Sequence, residues 1–181
     1  NLSAQPHRHP QPYFLHVSEY QPKKNVERML EAYGSLPVET RHDFIAIVPR
    51  YSGPAVRLPG VTLIAGRQPA AVLAQYYRGA TAFIFASLHE SFGMPIIEAM
   101  ACGCPVITSN QTACAEVAAD AAVLVDPRSV EAIAGALDAL QKDAERREEL
   151  RARGLEHAAR FSWRASAVQH AAVFTSAMRK A

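Results

Sequence analysis

The stretch from Ala82 to Ser109 leaves this chain few folds to choose from. Ala82-Phe-Ile-Phe-Ala86 is an unbroken apolar run, suited to a strand buried on both faces of a parallel sheet. It leads into Ser87-Leu-His-Glu-Ser-Phe-Gly-Met-Pro-Ile-Ile-Glu-Ala-Met-Ala-Cys-Gly-Cys-Pro-Val-Ile-Thr-Ser109. Gly93 supplies a turn, and Pro95 suits the first helical position, where a missing N–H costs little. Gly103 suits the position just past the helix end. Pro105 bars continuation, and Val106-Ile107-Thr108 is β-branched, as a following strand should be. Strand, tight loop, short helix and new strand follow one another in the manner of a parallel α/β sheet.

The rest of the chain has the same rhythm. Strands are predicted over 13–17, 43–48, 61–65 and 121–125, and helices over 26–35, 69–77, 111–118, 130–141, 142–157 and 163–180. Asn25, Ser129 and Ser162 stand where side-chain caps are wanted, and Gly79 where a helix should end. The expected class is α/β: a Rossmann-like, open, mainly parallel six-stranded sheet with helices on both faces. Residues 1–12 carry three prolines, two histidines and no periodicity, so they read as a flexible linker or tail. Residues 13–181 form one domain, a size that supports one substantial core.

The central loop sits at the carboxyl end of a strand and feeds the positive end of a helix. Open α/β sheets bind ligands there, and an anion such as a phosphate is favoured. Glu90 precedes the helix and Glu98 lies one turn inside it. Carboxylates repel phosphate, so this pair is better suited to accepting hydrogen bonds from hydroxyls. Lys24 lies just before another helix N-terminus, where a cation opposes the dipole and calls for an anionic partner. The alternative for Lys24 is a solvated lysine in a turn. Glu98 could serve only as a dipole partner, Glu90 only as a loop cap, and His16 and His89 as bases or as structural residues.

Glu90 and Glu98 form an E-x7-E pair embedded in H-E-S-F-G-M-P-I-I-E-A-M-A-C-G-C-P-V-I-T-S. This run resembles the donor-site signature of the retaining, nucleotide-sugar-dependent glycosyltransferases of the GT-B fold, the group 1 or mannosyltransferase-like family. The resemblance extends from about Tyr13 to the last helix, where Phe161-Ser162-Trp163 is similar to a turn of that family, and it covers only the C-terminal, donor-binding half of such an enzyme. It implies transfer of a hexosyl group from a UDP- or GDP-sugar, with retention, without metal and without another cofactor. Glu90 would face the transferred sugar, more as a positioning group than as a covalent nucleophile. Glu98 would accept from ribose hydroxyls. Backbone N–H groups of Phe92, Gly93 and Met94 would touch sugar or phosphate. Lys24 would approach the diphosphate, and Arg67 the base, unless it merely caps its loop. The family's first loop often begins Gly-Arg, whereas Ser18-Glu19 stands here, and a glutamate is unwelcome beside a diphosphate.

The resemblance further implies a missing N-terminal acceptor-binding domain, with the isolated half inactive and its cleft face and last helix left exposed. A non-catalytic nucleotide-sugar-binding or assembly module, best supported by Ser18-Glu19, and an epimerase-like GT-B domain are the competing readings. A nicotinamide enzyme is disfavoured because no G-x-G-x-x-G follows the first strand. A net charge of +2 implies no nucleic-acid partner, and no D-x-D metal motif is present. No apolar run is long enough to span a membrane, and no signal-peptide core is seen, so the chain is expected to be cytoplasmic, with any membrane contact made by the absent part. Cys102, Cys104 and Cys114 are odd in number and read as reduced core thiols.

Overall fold

The computed structural model describes residues 5–178; the proposed end of the last helix at Lys180 lies outside them. Six parallel strands form one open sheet in the order β3-β2-β1-β4-β5-β6. They are β1 (Tyr13–Val17), β2 (Asp43–Ile47), β3 (Val61–Ile64), β4 (Ala82–Phe85), β5 (Val106–Ser109) and β6 (Val123–Val125). Strands 1 to 3 wind outward in one direction and strands 4 to 6 in the other, so the topology reverses between β1 and β4. These two strands pair through Phe14 with Ala82 and Leu15 with Phe83. The seam is fully buried, in keeping with the continuous apolar runs.

The helices are α1 (Val26–Gly34), α2 (Ala70–Gly79), α3 (Met94–Ala101), α4 (Thr112–Ala118), α5 (Val130–Lys142), α6 (Ala144–Ala158) and α7 (Trp163–Met178). Alternate strand residues supply two cores. Phe14, Phe44 and Ile84 pack with α1 and α5 on one face, whereas Leu15, Ile45, Phe83 and Phe85 pack with α3 and α4 on the other. The single charged helix expected over 142–157 is separated from α5 at Asp143. The Asp143 carboxylate accepts from the Arg146 N–H at 2.8 Å and starts α6 afresh. Ser129 and Ser162 cap as expected, accepting from Ala132 and Ala165.

One expected cap has another role, and one helix end has a second reason for its glycine. Asn25 adopts left-handed φ/ψ and caps nothing with its side chain. Its Nδ2 instead donates to the carbonyls of Ala86 (2.9 Å) and Pro127 (2.7 Å), tying the β1 loop to the loops after β4 and β6. Gly79 is the last residue of α2 and is required by crowding. A Cβ there would lie 2.5 Å from the His7 carbonyl oxygen and 2.5 Å from the Tyr13 hydroxyl. Residues 5–12 have no helix or strand but lie against this spot: the His7 N–H donates to the Gln75 carbonyl, its ring lies tilted against Tyr76 with centroids 4.1 Å apart, and His9 meets the Asp43 carboxylate at 2.8 Å. The three cysteines are free; Cys104 and Cys114 are buried, and burial raises their thiol pKa values.

Candidate functional site at the strand reversal

Every loop that leaves a strand's carboxyl end near the reversal contributes to one crevice. The β1 loop rises through a 3₁₀ turn, Pro22–Lys24, and the loop after β4 brings Glu90 opposite it. Lys24 Nζ donates to Glu90 Oε1 at 2.6 Å across the crevice. The two side chains are only 15% and 9% exposed, so this is a largely desolvated ion pair. The cation also lies 5.2 Å from the centroid of the Phe85 ring. The anionic partner that Lys24 was expected to need is, in this structure, Glu90 itself. Two backbone bonds hold the loops in place: Leu88 N–H donates to the Lys23 carbonyl, and Glu90 N–H donates to Thr112 Oγ1 at 3.3 Å. Thr112 pays with a φ of 57°, a conformation uncommon for a β-branched residue. Nothing in its local sequence announced that role.

The helix α3 begins at Gly93, whose φ of 94° fits a glycine best, and no side chain caps it. Phe92 and Met94 flank this open end and are about two-fifths exposed. The far end closes as a Schellman motif: Cys104 N–H bonds the Ala99 carbonyl and Gly103 N–H that of Met100, with Gly103 at φ 71°. Glu98 lies one turn in, beyond the reach of a strong dipole interaction, and is exposed. The Tyr77 hydroxyl reaches its Oε2 at 3.4 Å. Burial, with Glu98 beside it, raises the Tyr77 phenol well above its ordinary pKa, so it remains a donor.

Beside this end of α3 lies a cavity of about 270 Å³, lined by aliphatic Val17, Ile47 and Leu73 and by polar Ser18, Arg67 and Gln68. Arg67 Nη2 donates to Glu19 Oε1 at 2.9 Å, and both groups are largely exposed. Glu19 is therefore not a naked negative charge on the β1 loop. Under the same loop His16 is fully buried, with Nδ1 on the Ile84 carbonyl (2.9 Å) and Nε2 on Ser18 Oγ (2.8 Å). Burial, with Lys24 nearby, lowers its pKa to about 4. Among the described residues no cluster of three potential ligands could hold a metal, and no helix is long and apolar enough to cross a membrane.

The structure thus brings Lys24 and Glu90 into contact, and pairs Glu98 with Tyr77 and Arg67 with Glu19. The family profile "Glycosyl transferases group 1" matches residues 55–157, more than half of the chain. This chain belongs to the group 1 glycosyl transferases. It is 39% identical over 164 residues to the O-antigen chain mannosyltransferase B of Escherichia coli, a match that covers 84% of this chain and 43% of that protein. It is 31% identical to a D-inositol 3-phosphate glycosyltransferase of Segniliparus rotundus, covering 90% and 39%. The chain therefore spans less than half the length of these relatives. A sucrose-phosphate synthase structure from Thermosynechococcus elongatus superposes with a TM-score of 0.82 at 24% identity, covering 95% of this chain and 47% of that one. A glycosyltransferase structure from Rickettsia africae does so at 0.80 and 16%, covering 96% and 50%. The sheet and its order are those of a Rossmann-like half of a GT-B enzyme.

Proposed function

We propose that this domain is the donor-binding half of a retaining glycosyltransferase that takes a hexosyl group from a UDP- or GDP-sugar. The observation that carries the reading is the buried Lys24–Glu90 pair, bridging the crevice at the strand reversal next to the open N-terminus of α3. Departure of a nucleoside diphosphate builds negative charge on phosphate oxygens. Lys24 has three N–H donors and gives one to Glu90, so others are free for a phosphate. The backbone N–H groups of Phe92, Gly93 and Met94, where the loop enters α3, add a fixed positive potential without needing a metal. Glu90, held by Lys24 and by its own N–H on Thr112, is an acceptor for hydroxyls of the sugar and orients it for transfer. Glu98, steadied by Tyr77, accepts from the ribose, and the cavity under Arg67 takes the base.

Helix α7 supports the reading that a second domain completes the enzyme. It has no buried residue; Trp163, Val168, Val173, Phe174 and Met178 are each more than 60% exposed. Such a helix calls for a partner surface, and the acceptor-binding domain is the natural one. The alternative of a non-catalytic module is supported by Ser18-Glu19; the Arg67 guanidinium, in an exposed pair with Glu19, offsets part of that carboxylate's charge. Amide-resolved NMR titration with UDP- and GDP-hexoses tests the proposal. The expected shifts are at Lys24, Gly93, Met94 and Glu98; shifts confined to other faces of the sheet would contradict it.

A further inference from the structure

Hydrogen-bond accounting beneath the β1 loop assigns a polarity to one wall of the cavity. The Ile84 carbonyl can only accept, so the His16 Nδ1 bonded to it at 2.9 Å carries the proton. His16 is fully buried, stacks near Phe85 and has Lys24 as its charged neighbour, so the ring is neutral. A neutral imidazole has one N–H. Nε2 is therefore an acceptor, and the 2.8 Å contact to Ser18 is a bond in which the serine hydroxyl donates. The single hydroxyl proton of Ser18 is thereby committed to His16, and toward the cavity that Ser18 lines the hydroxyl can only accept, through its two lone pairs.

We infer that Ser18 Oγ, set by His16, is a selectivity residue that accepts a hydrogen bond from an O–H or N–H of the bound nucleoside and disfavours a phosphate oxygen at this wall. The inference rests on the donor-site reading above and deepens it. It also gives the serine that stands where the family often has glycine a positive role. A phosphate oxygen placed there would meet lone pair with lone pair, so the diphosphate is directed toward Lys24 and the open end of α3. The nucleoside lies along the β1 wall, where a ribose hydroxyl or a base N–H satisfies Ser18.

Two measurements test this. Nitrogen-15 NMR of the His16 ring reads the tautomer in the unliganded chain. The expected state is Nδ1–H with unprotonated Nε2; an Nε2–H tautomer overturns the inference, whatever the chain binds. The second is a set of binding measurements on the wild type and Ser18→Ala with nucleoside diphosphates, their 2′-deoxy and 3′-deoxy forms, and pyrophosphate. Loss of one hydrogen bond should weaken the nucleotide roughly five- to tenfold. Pyrophosphate affinity should be unchanged. If the partner is a ribose hydroxyl, the substitution costs nothing further against the deoxy analogue lacking it; if it is a base N–H, the cost persists in both analogues and changes with the base. Equal nucleotide affinity in wild type and variant overturns the inference and leaves the donor site standing. Wild-type binding that is unaffected by Glu98→Ala or Lys24→Ala removes the donor-site reading instead.

Discussion

The Lys24–Glu90 contact concentrates the chemistry of the site in two side chains. Removing one member of a desolvated ion pair strands the other, so Lys24→Ala should destabilise the fold by roughly 3 kcal/mol. Replacing both, as Lys24→Met with Glu90→Leu, should cost much less than the two single substitutions together, because no charge is left uncompensated. Urea unfolding of the wild type, Lys24→Met, Glu90→Leu and the double variant measures this directly. His16 makes a second residue-scale prediction. Its folded pKa of about 4 lies below the ordinary 6.5, so in that interval the unfolded chain binds a proton that the folded chain refuses. Stability is complete above pH 6.5, falls as the pH drops toward 4 and then levels off, a loss of roughly 3 kcal/mol from this group. His7 and His42, also lowered by burial, act in the same direction. His16→Asn should flatten most of this slope in pH-dependent unfolding. Residue roles were the part least legible in sequence. Glu90, Glu98 and Lys24 were marked by motif and spacing. The Asn25 cross-link, the Thr112 contact and, through the His16 bond to Ile84, the proton direction at Ser18 depend on segments brought together from positions up to about a hundred residues apart, which no local pattern encodes.

At the scale of elements, the chain is readable because local and tertiary demands agree. The apolar runs at β1, β2, β4 and β5 became largely buried parallel strands, and Gly93, Pro95, Gly103 and Pro105 punctuated α3 as their backbone preferences require. Tertiary and capping detail was added at two boundaries that periodicity had placed to within two residues. Asp143 caps α6 just after the break expected at residue 142, and Gly79, which ends α2 as expected, is also a contact glycine. That contact yields a prediction. Gly79→Ala should push residues 5–12 off α2, since a methyl cannot sit 2.5 Å from a backbone carbonyl oxygen. Hydrogen exchange at the His7 amide, bonded to Gln75 at 2.9 Å, should become fast, while exchange in β1 and β4 stays slow. Protection of His7 in the variant would show that the segment is held by other contacts.

As a whole, the molecule has a closed domain and an open appendage. The sheet and its helices bury two continuous cores, whereas α7 springs from Phe161, which packs edge-on against Phe92 of the site loop at 6.1 Å, and then buries nothing. Truncation after Ser162 should change domain stability by no more than about 0.5 kcal/mol, because no core contact is lost. A large loss would mean that α7 packs on this domain in solution. The central claim, that the crevice between β1 and β4 holds a nucleoside diphosphate, is tested most directly by calorimetric titration of the chain with UDP, GDP and ADP and their hexose conjugates, with Lys24→Ala and Glu98→Ala alongside. Saturable binding of one nucleotide, weakened in both variants, is the expected result. Binding that is the same in wild type and both variants would place the nucleotide elsewhere and contradict the account.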